Sequence, residues 1–218
     1  MRPNWLLGIV LMFIAQVAPA ADPVDGARLS PQEEKEGFVL LFHGKDLDGW
    51  QGSTDGYVVE NGLMVCKKQG GGMLFTKKEY GNFAFRFEFK LEPAANNGVG
   101  IRTPLGCNPA YCGMEIQILD TEYKNIQPWQ AHGSIYGVVP AKTGFLNPAG
   151  QWNSEEIRCS GRRVTVTLNG EVIVDADLDK VKPVDGHDHP GLKQEKGYIG
   201  FLGHGSRIEF RNIRIKEL

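Results

Sequence analysis

The chain has 218 residues and a formal net charge of −2, with 28 glycines, 12 prolines and four cysteines. A nearly neutral chain offers no electrostatic case for binding nucleic acid or an anionic membrane surface, so we expect neither as a partner. The length suits a single domain, and the many glycines and prolines between short apolar runs favour an all-β architecture.

The first twenty residues have the pattern of a signal peptide. Met1-Arg2 gives a short basic start, Trp5 to Val17 is apolar, and Ala18-Pro19-Ala20 has the small residues of a cleavage site. The apolar run is short for a transmembrane helix. We therefore expect secretion or periplasmic export, cleavage after Ala20 and no membrane span in the mature chain; a retained anchor is the alternative.

A polar N-terminal extension follows over residues 21–36. Its end, from Ser30 to Glu36, predicts one short capped helix. Beyond it the sequence contains no internal repeat and no low-complexity linker, so we expect a single domain over residues 37–218.

Short stretches throughout this domain alternate as strands do. The clearest runs from Phe83 to Leu91, where every second residue is apolar and one face must line a core. Asn61-Gly62 and Asn169-Gly170 stand between apolar runs and predict two-residue hairpin turns. Ten or more such strands with almost no helix predict two antiparallel sheets packed face to face, a jelly-roll sandwich.

The stretch from Gly113 to Asp120 predicts the strand that carries the functional site. Apolar residues alternate there with Glu115 and Gln117, which places the two polar side chains on one face. Strict alternation would turn Asp120 to the apolar side, but a β-bulge near Leu119 would return it beside Glu115. Two carboxylates and a carboxamide on one face suit acid–base chemistry or hydroxyl binding. A half-exposed strand with ordinary polar residues is the alternative.

Four cysteines remain in the expected mature chain. Cys107 and Cys112 flank a short loop and are the favoured disulfide pair, since export permits disulfides. Cys66 and Cys159 each lie in an apolar strand pattern and either pair or stay as buried thiols. None of the spacings is typical of a zinc site.

A long irregular segment from Thr121 to Pro148 contains Trp129, His132 and Tyr136. Loops of this length in compact domains are usually functional, and an aromatic side chain could stack on a sugar face. We expect these three residues to bind substrate, with core packing as the alternative for Tyr136. His187-Asp188-His189 could bind a metal or form a solvated loop.

Five segments of the domain stand out as a set: Leu41–Trp50, Lys78–Phe83, Asn97–Arg102, Glu115–Asp120 and Gly203–Ile213. In this order they resemble the 3-keto-disaccharide hydrolase family, from about residue 37 to the C-terminus. The resemblance implies a concanavalin A-like lectin/glucanase fold. It also implies hydrolysis of glycosidic bonds, with an oligosaccharide or 3-keto-glycoside as substrate.

A more distant likeness concerns one strand only. Glu115 to Asp120 has the spacing of the Glu-Ile-Asp-Ile-Met-Glu strand of laminarinase-type glycoside hydrolases, with Glu115 at the nucleophile position. Gln117 replaces a helper Asp, and Asp120 replaces the acid–base Glu. A shorter carboxylate widens the gap, whereas retaining chemistry needs roughly 5–5.5 Å between the two groups. A standard retaining mechanism is therefore not expected.

The implied substrate suggests elimination followed by hydration. A ketone at C3 of a sugar acidifies the proton on C2, so a base can remove it and the enolate can expel the group on C1. Glu115, Asp120 and His204, which stands between two glycines, are our candidates for the acid–base roles. Arg102 or a divalent cation of unknown identity could stabilise the enolate oxygen. The alternatives are a turn histidine bonded to backbone and an arginine paired with a carboxylate.

Two other functions fit the same fold. A non-catalytic carbohydrate-binding module would bind sugar without turnover, and an adhesion domain of an envelope complex would bind no sugar. The sequence indicates no particular oligomeric state.

Overall fold

The computed structural model describes residues 27–218, so the predicted signal peptide and the start of the extension lie outside the described residues. Within that range, no helix is long and apolar enough to cross a membrane. The predicted helix is present as α1 (Pro31–Glu36), where Ser30 caps the N-terminus and Glu33 completes a capping box. Gly37 ends the helix in the left-handed conformation, with φ 88°.

The described residues form thirteen strands and a second short helix. The strands are β1 (Val39–Leu40), β2 (Trp50–Gly52), β3 (Tyr57–Glu60), β4 (Leu63–Cys66), β5 (Gly72–Tyr80), β6 (Phe83–Leu91), β7 (Asn96–Thr103), β8 (Met114–Leu119), β9 (Trp152–Ser160), β10 (Arg163–Leu168), β11 (Glu171–Asp177), β12 (Gly197–Gly203) and β13 (Ile208–Glu217). The second helix is α2 (Pro109–Cys112), and single 3-10 turns occur at Thr54–Gly56, Pro128–Gln130 and Pro190–Lys193.

The strands form two antiparallel sheets. The larger has the order β11-β10-β9-β6-β13-β4-β3, with β1 also paired to β13, and the smaller has the order β2-β5-β12-β7-β8. This arrangement confirms the predicted all-β sandwich. The two predicted hairpin turns are also confirmed, because Asn61 and Asn169 both have φ 50° and each precedes a glycine with positive φ.

Aromatic side chains fill the space between the sheets. Phe85, Phe87 and Phe89 of β6 are essentially inaccessible, which confirms the predicted core face. Phe85 and Phe87 meet the smaller sheet at Phe201, whose ring stacks on Phe210 with centroids 4.0 Å apart. Because this core holds the inner face of the smaller sheet, its outer face is left for the polar residues of β7 and β8.

The long segment between β8 and β9 closes the edge of the smaller sheet. Gln117 donates its N–H to the carbonyl of Ser134 and accepts from the N–H of Gly133, and Tyr136 donates to the carbonyl of Glu115. The backbone of β8 is therefore paired on both sides, by β7 and by residues 133–136, and the segment lies directly beside the polar face of β8.

The cysteines divide into one disulfide and two free thiols. Cys107 and Cys112 form a disulfide with a Cα–Cα distance of 6.4 Å, as the sequence favoured. Cys66 and Cys159 are buried and unpaired, so of the two alternatives for them the structure has the thiols.

Candidate functional site

The polar face of β8 is organised by its register with β7. Gln117 lies opposite Gly98, and Glu115 lies opposite Gly100. A Cβ atom at Gly98 would stand only 2.1 Å from Oε1 of Glu115. A glycine is therefore required there, because the Glu115 side chain leans across β7 in the space that a larger residue would occupy.

A cavity of about 200 Å³ opens over this face. It is lined by parts of the chain that are distant in sequence: Asn96, Asn108, Ala110, Tyr111, Glu115, Gln117, Leu119, Tyr123, Ile126, Gln130, Tyr136 and His204. These residues come from β7, the disulfide loop with α2, β8, the long segment and the β12–β13 turn. We call this cavity the Glu115 cavity.

Glu115 and His204 form the ionisable centre of the cavity. Glu115 is 6% exposed, and burial raises its pKa from 4.5 to about 7. Nε2 of the half-exposed His204 lies 4.0 Å from Oε1 of Glu115, and partial burial lowers the pKa of this imidazole. At neutral pH the pair therefore combines a carboxyl close to half ionisation with a neutral imidazole, which suits proton transfer in either direction.

Two side-chain oxygens beside this pair have no hydrogen-bond partner within the described residues. They are Oε1 of Gln117 and Oδ1 of Asn96, and both atoms are buried. A buried acceptor without a partner costs roughly 1–3 kcal/mol, and such atoms are rare in folded proteins. A ligand hydroxyl or a cation would satisfy them, so both residues are candidate ligand contacts.

Tyrosines form the walls of the cavity. Burial raises the pKa of Tyr111, which α2 carries, and the nearby Tyr136 adds to this effect. Nε2 of Gln130 donates to the Tyr136 hydroxyl at 3.2 Å. Trp129 does not line the cavity itself; its ring packs edge-on against Tyr136 with centroids 5.1 Å apart. The structure thus places Tyr136 at the site and Trp129 behind it.

The structure does not bring Asp120 to the Glu115 cavity. The pairing of β7 with β8 has no register shift from Met114 to Leu119, so the predicted bulge in β8 is wrong and Asp120 points away. Its carboxylate accepts from the backbone N–H of Ala94 at 2.7 Å and of Glu122 at 3.3 Å. These bonds give Asp120 a structural role, joining the β6–β7 turn to the start of the long segment.

His132 also lies outside the Glu115 cavity. It is 8% exposed and stacks on Phe89. Nδ1 accepts from the N–H of Leu119 at 3.3 Å, and Nε2 lies 2.9 Å from the Glu155 carboxylate. Both ring nitrogens are therefore engaged within the fold, so His132 offers no free hydrogen-bonding atom to a sugar, and its predicted contact in the Glu115 cavity is corrected to packing.

Arg102 is the third residue whose predicted role the structure corrects. It is 1% exposed, and its guanidinium binds carbonyl oxygens of three separate turns. The acceptors are Gly81 at 3.0 Å, Gly161 at 2.9 Å and Gln194 at 3.2 Å, with the side chain of Asn82 at 3.3 Å. With its donors occupied in the interior, Arg102 stabilises the sandwich and does not reach the cavity.

A bulge explains the position of Arg102. Tyr198 of β12 pairs with Thr103 and Gly200 pairs with Gly100, so β7 has one more residue than β12 over this interval. Arg102 takes up the difference with φ 48°, which turns its side chain off the sheet face. The smaller sheet does contain a bulge near the site, but on β7 and not on β8.

Sequence reasoning missed Asn96, Asn108, Tyr111, Tyr123 and Gln130. Asn96 begins β7 and reaches the cavity from the strand next to β8. Tyr111 stands inside the loop that the two cysteines flank, so the disulfide itself was a signal that this loop is held in place.

The described residues contain no group of three or more His, Cys, Asp and Glu side chains that could hold a metal ion. At His187-Asp188-His189, the ring of His189 instead pairs with Asp185 at 3.0 Å. The Glu115 cavity combines one carboxylate, one imidazole and the two unpaired amide oxygens of Gln117 and Asn96. Oxygen and imidazole donors of this kind fit a divalent cation, with protein ligands supplemented by substrate or water.

Comparisons with known proteins identify the family of the chain. The 3-keto-alpha-glucoside-1,2-lyase-like domain matches residues 37–216. A 3-keto-disaccharide hydrolase of Bacteroides thetaiotaomicron is 23% identical over 232 residues, covering 85% of this chain and 80% of that protein. These matches confirm the resemblance seen in the sequence.

Solved structures show the same fold. A proposed glycosyl hydrolase of Parabacteroides distasonis has a TM-score of 0.77 and 26% identity, over 88% of this chain and 98% of that one. An endo-beta-1,3(4)-glucanase aligns with a TM-score of 0.53 and 13% identity over 92% and 95% of the two chains. The second match shows the concanavalin A-like fold alone. Taken together, the comparisons support a carbohydrate-active protein of the hydrolase type, and the chain belongs to the family of 3-keto-alpha-glucoside-1,2-lyase-like domains.

Proposed function

We propose that the protein is an exported enzyme that cleaves the glycosidic bond of 3-keto-glycosides by elimination and hydration. The observation that carries the proposal is the buried Glu115, whose pKa is about 7, with His204 4.0 Å away in a cavity lined by unpaired oxygens. A carboxyl group with a pKa near 7 is partly ionised at neutral pH, and its ionised fraction can act as a general base.

Glu115 takes the proton from C2, which the neighbouring ketone has made acidic. The electron pair forms the enolate and then expels the oxygen on C1, which takes a proton from a tyrosine hydroxyl in the cavity wall. Water then adds its hydroxyl to C1 while neutral His204 takes the proton of the water and passes it to the tyrosine. Glu115 returns its proton to C2, so that both groups are restored and the net result is hydrolysis. Gln117 and Asn96 accept hydrogen bonds from the sugar hydroxyls and fix the ring over Glu115.

A divalent cation is part of the same proposal. Its ligands would be the unpaired oxygens of Gln117 and Asn96 together with oxygens of the sugar, which leaves Glu115 and His204 free for proton transfer. When bound, such an ion would act as a Lewis acid for the C3 oxygen.

The test uses a 3-keto-disaccharide and its parent sugar, with release of free sugar as the readout. We expect turnover of the keto form only, and a loss of at least about 100-fold for Glu115→Gln, in line with removal of a general base. Glu79→Gln is the matched control, because Glu79 lies on β5 and pairs with Lys196 outside the cavity. Loss of activity with a chelator, restored by an added divalent cation, would support the proposal that such an ion takes part in the reaction.

Two results would count against the proposal. Equal turnover of the parent sugar would show that the reaction does not depend on the ketone. Binding of the keto sugar without turnover would make the chain a carbohydrate-binding module. Export is tested separately, by the mass of the mature protein, which should correspond to a chain that begins at Ala21.

A further inference from the structure

A second cavity lies next to the Glu115 cavity. It has a volume of about 180 Å³ and is lined by Leu119, Asp120, Thr121, Ile126, Ala131, His132, Lys142, Thr143, Gly144, Phe145, Leu146 and Leu168. Two of these residues, Leu119 and Ile126, also line the Glu115 cavity. The two cavities therefore share a wall, and we call the second one the Phe145 cavity after the aromatic ring that is partly exposed at its opening.

The Phe145 cavity is mainly apolar. Leucine, isoleucine, alanine and phenylalanine side chains supply most of its exposed lining. Two of its polar residues are buried and already engaged: both ring nitrogens of His132 have partners, and Asp120 accepts from two backbone N–H groups. The other three, Thr121, Lys142 and Thr143, are exposed. A hydroxyl-rich group buried here would find few partners, which costs free energy, whereas an apolar ring would not.

The position of the cavity matches that of a leaving group. Glu115 and Leu119 are four residues apart on β8, so at roughly 3.3 Å per residue their backbones are about 13 Å apart. This length is comparable to that of one sugar ring joined to a single aromatic ring. A sugar with C2 at Glu115 and C1 directed along β8 would therefore place its aglycone at the shared wall.

We propose that the Phe145 cavity is the aglycone subsite of the enzyme and takes an apolar group of about one aromatic ring. The inference rests on the proposed function, and it narrows the substrate class to 3-keto-glycosides of phenol-like or similar alcohols in preference to those with a second sugar. The leaving alcohol departs with the proton it receives at its oxygen, as in the mechanism above.

The first test compares 3-keto-glucosides that differ only in the aglycone. We expect kcat/KM for the phenyl glycoside to exceed that for the methyl glycoside by on the order of tenfold. The difference should come mainly from a lower KM, because contacts in an apolar pocket give preferences of this size. Phe145→Ala should remove most of this preference, and Ala131→Leu should remove it by filling the cavity. Turnover of the methyl glycoside is measured for each variant, so that the preference is compared as a ratio within one protein. Val39→Ala on the larger sheet is the control, since Val39 is similarly exposed and remote.

The second test measures binding of phenol by calorimetry and needs no turnover. We expect weak binding to the wild type and to Glu115→Gln, and a loss of at least fivefold in Ala131→Leu. If the methyl glycoside is cleaved but the phenyl preference and phenol binding are absent, the subsite is refuted while the proposed function stands. If phenol binds as expected and neither glycoside is cleaved, the cavity still takes an apolar ring and the proposed function fails.

Discussion

The Glu115 carboxyl is held where its charged form is poorly solvated. Burial raises its pKa from 4.5 to about 7, so between these two pH values the folded protein keeps a proton that the unfolded chain has already released. If Glu115 is the base, only the ionised fraction is active. We therefore expect kcat/KM to rise tenfold per pH unit below about pH 7 and to level off above it. A rate that falls through this range would instead assign Glu115 as the acid.

The same burial has a consequence for stability. Because the folded pKa lies above the ordinary value of 4.5, unfolding releases a proton between these two pH values, and the free energy of unfolding decreases as pH rises from 4.5 to 7. Glu115→Gln removes the buried charge and keeps the shape. We expect it to raise the free energy of unfolding by up to about 3 kcal/mol at pH 8, with no gain at pH 4.

Denaturant titrations at the two pH values would measure this difference. Glu79→Gln, on the exposed side of β5, should show little change at either pH. An equal gain from Glu115→Gln at pH 4 and pH 8 would mean that packing and not charge is responsible. A more stable but inactive variant is typical of a residue kept for chemistry at the expense of stability.

At the scale of elements, the disulfide loop forms one wall of the Glu115 cavity. Cys107 and Cys112 close the segment that includes α2, and Asn108 and Tyr111 from this segment line the cavity. The side chain of Asn108 also caps α2, through the N–H of Ala110. The position of Tyr111 thus depends on a short covalent loop.

Replacement of both cysteines by serine should affect affinity more than folding. Closing so short a loop contributes about 2 kcal/mol, so we expect Tm to fall by about 4–8 °C. KM should rise several-fold, because Tyr111 is held less firmly, with kcat changed less. A KM that stays at the wild-type value would show that the wall is positioned by its packing alone. Steady-state kinetics and a thermal melt, with and without reductant for the wild type, provide the measurement.

At the scale of the whole molecule, Arg102 joins the two sheets at one end of the sandwich. Its acceptors lie in the β5–β6 turn, the β9–β10 turn and the segment before β12. We expect Arg102→Leu to lower the free energy of unfolding by about 3–5 kcal/mol, because it leaves several buried carbonyls unpaired. Arg102→Lys should retain only part of the stability that Arg102 provides, since an ammonium group lacks the planar, forked geometry of a guanidinium group.

Denaturant unfolding measures the loss, with Arg163→Leu as a control at an exposed arginine on β10. Activity per folded molecule should be unchanged at low temperature. A large rise in KM with normal stability would contradict the structural role and restore the substrate contact that the sequence suggested.

The features that the sequence predicted and those that it missed differ in how far apart along the chain the contacting residues lie. The β6 core face, the Asn-Gly turns and the polar face with Glu115 follow from neighbouring residues, so local patterns predict them. The direction of a side chain at an irregular position does not: Arg102 depends on a bulge relative to β12, and His132 depends on Glu155, which lies 23 residues further along the chain. Asn96 reaches the cavity only because β7 pairs with β8, and Tyr111 reaches it only because α2 packs beside these two strands.

The segment that lines the Glu115 cavity also occupies the free edge of β8. Residues 133–136 take the backbone hydrogen bonds that this edge would otherwise offer to another strand, and an open edge is a starting point for self-association. Loosening this segment to admit a different sugar would therefore expose a surface that promotes aggregation. We therefore expect the range of sugars that this segment can be altered to admit to be limited by the solubility of the protein as well as by the shape of the cavity.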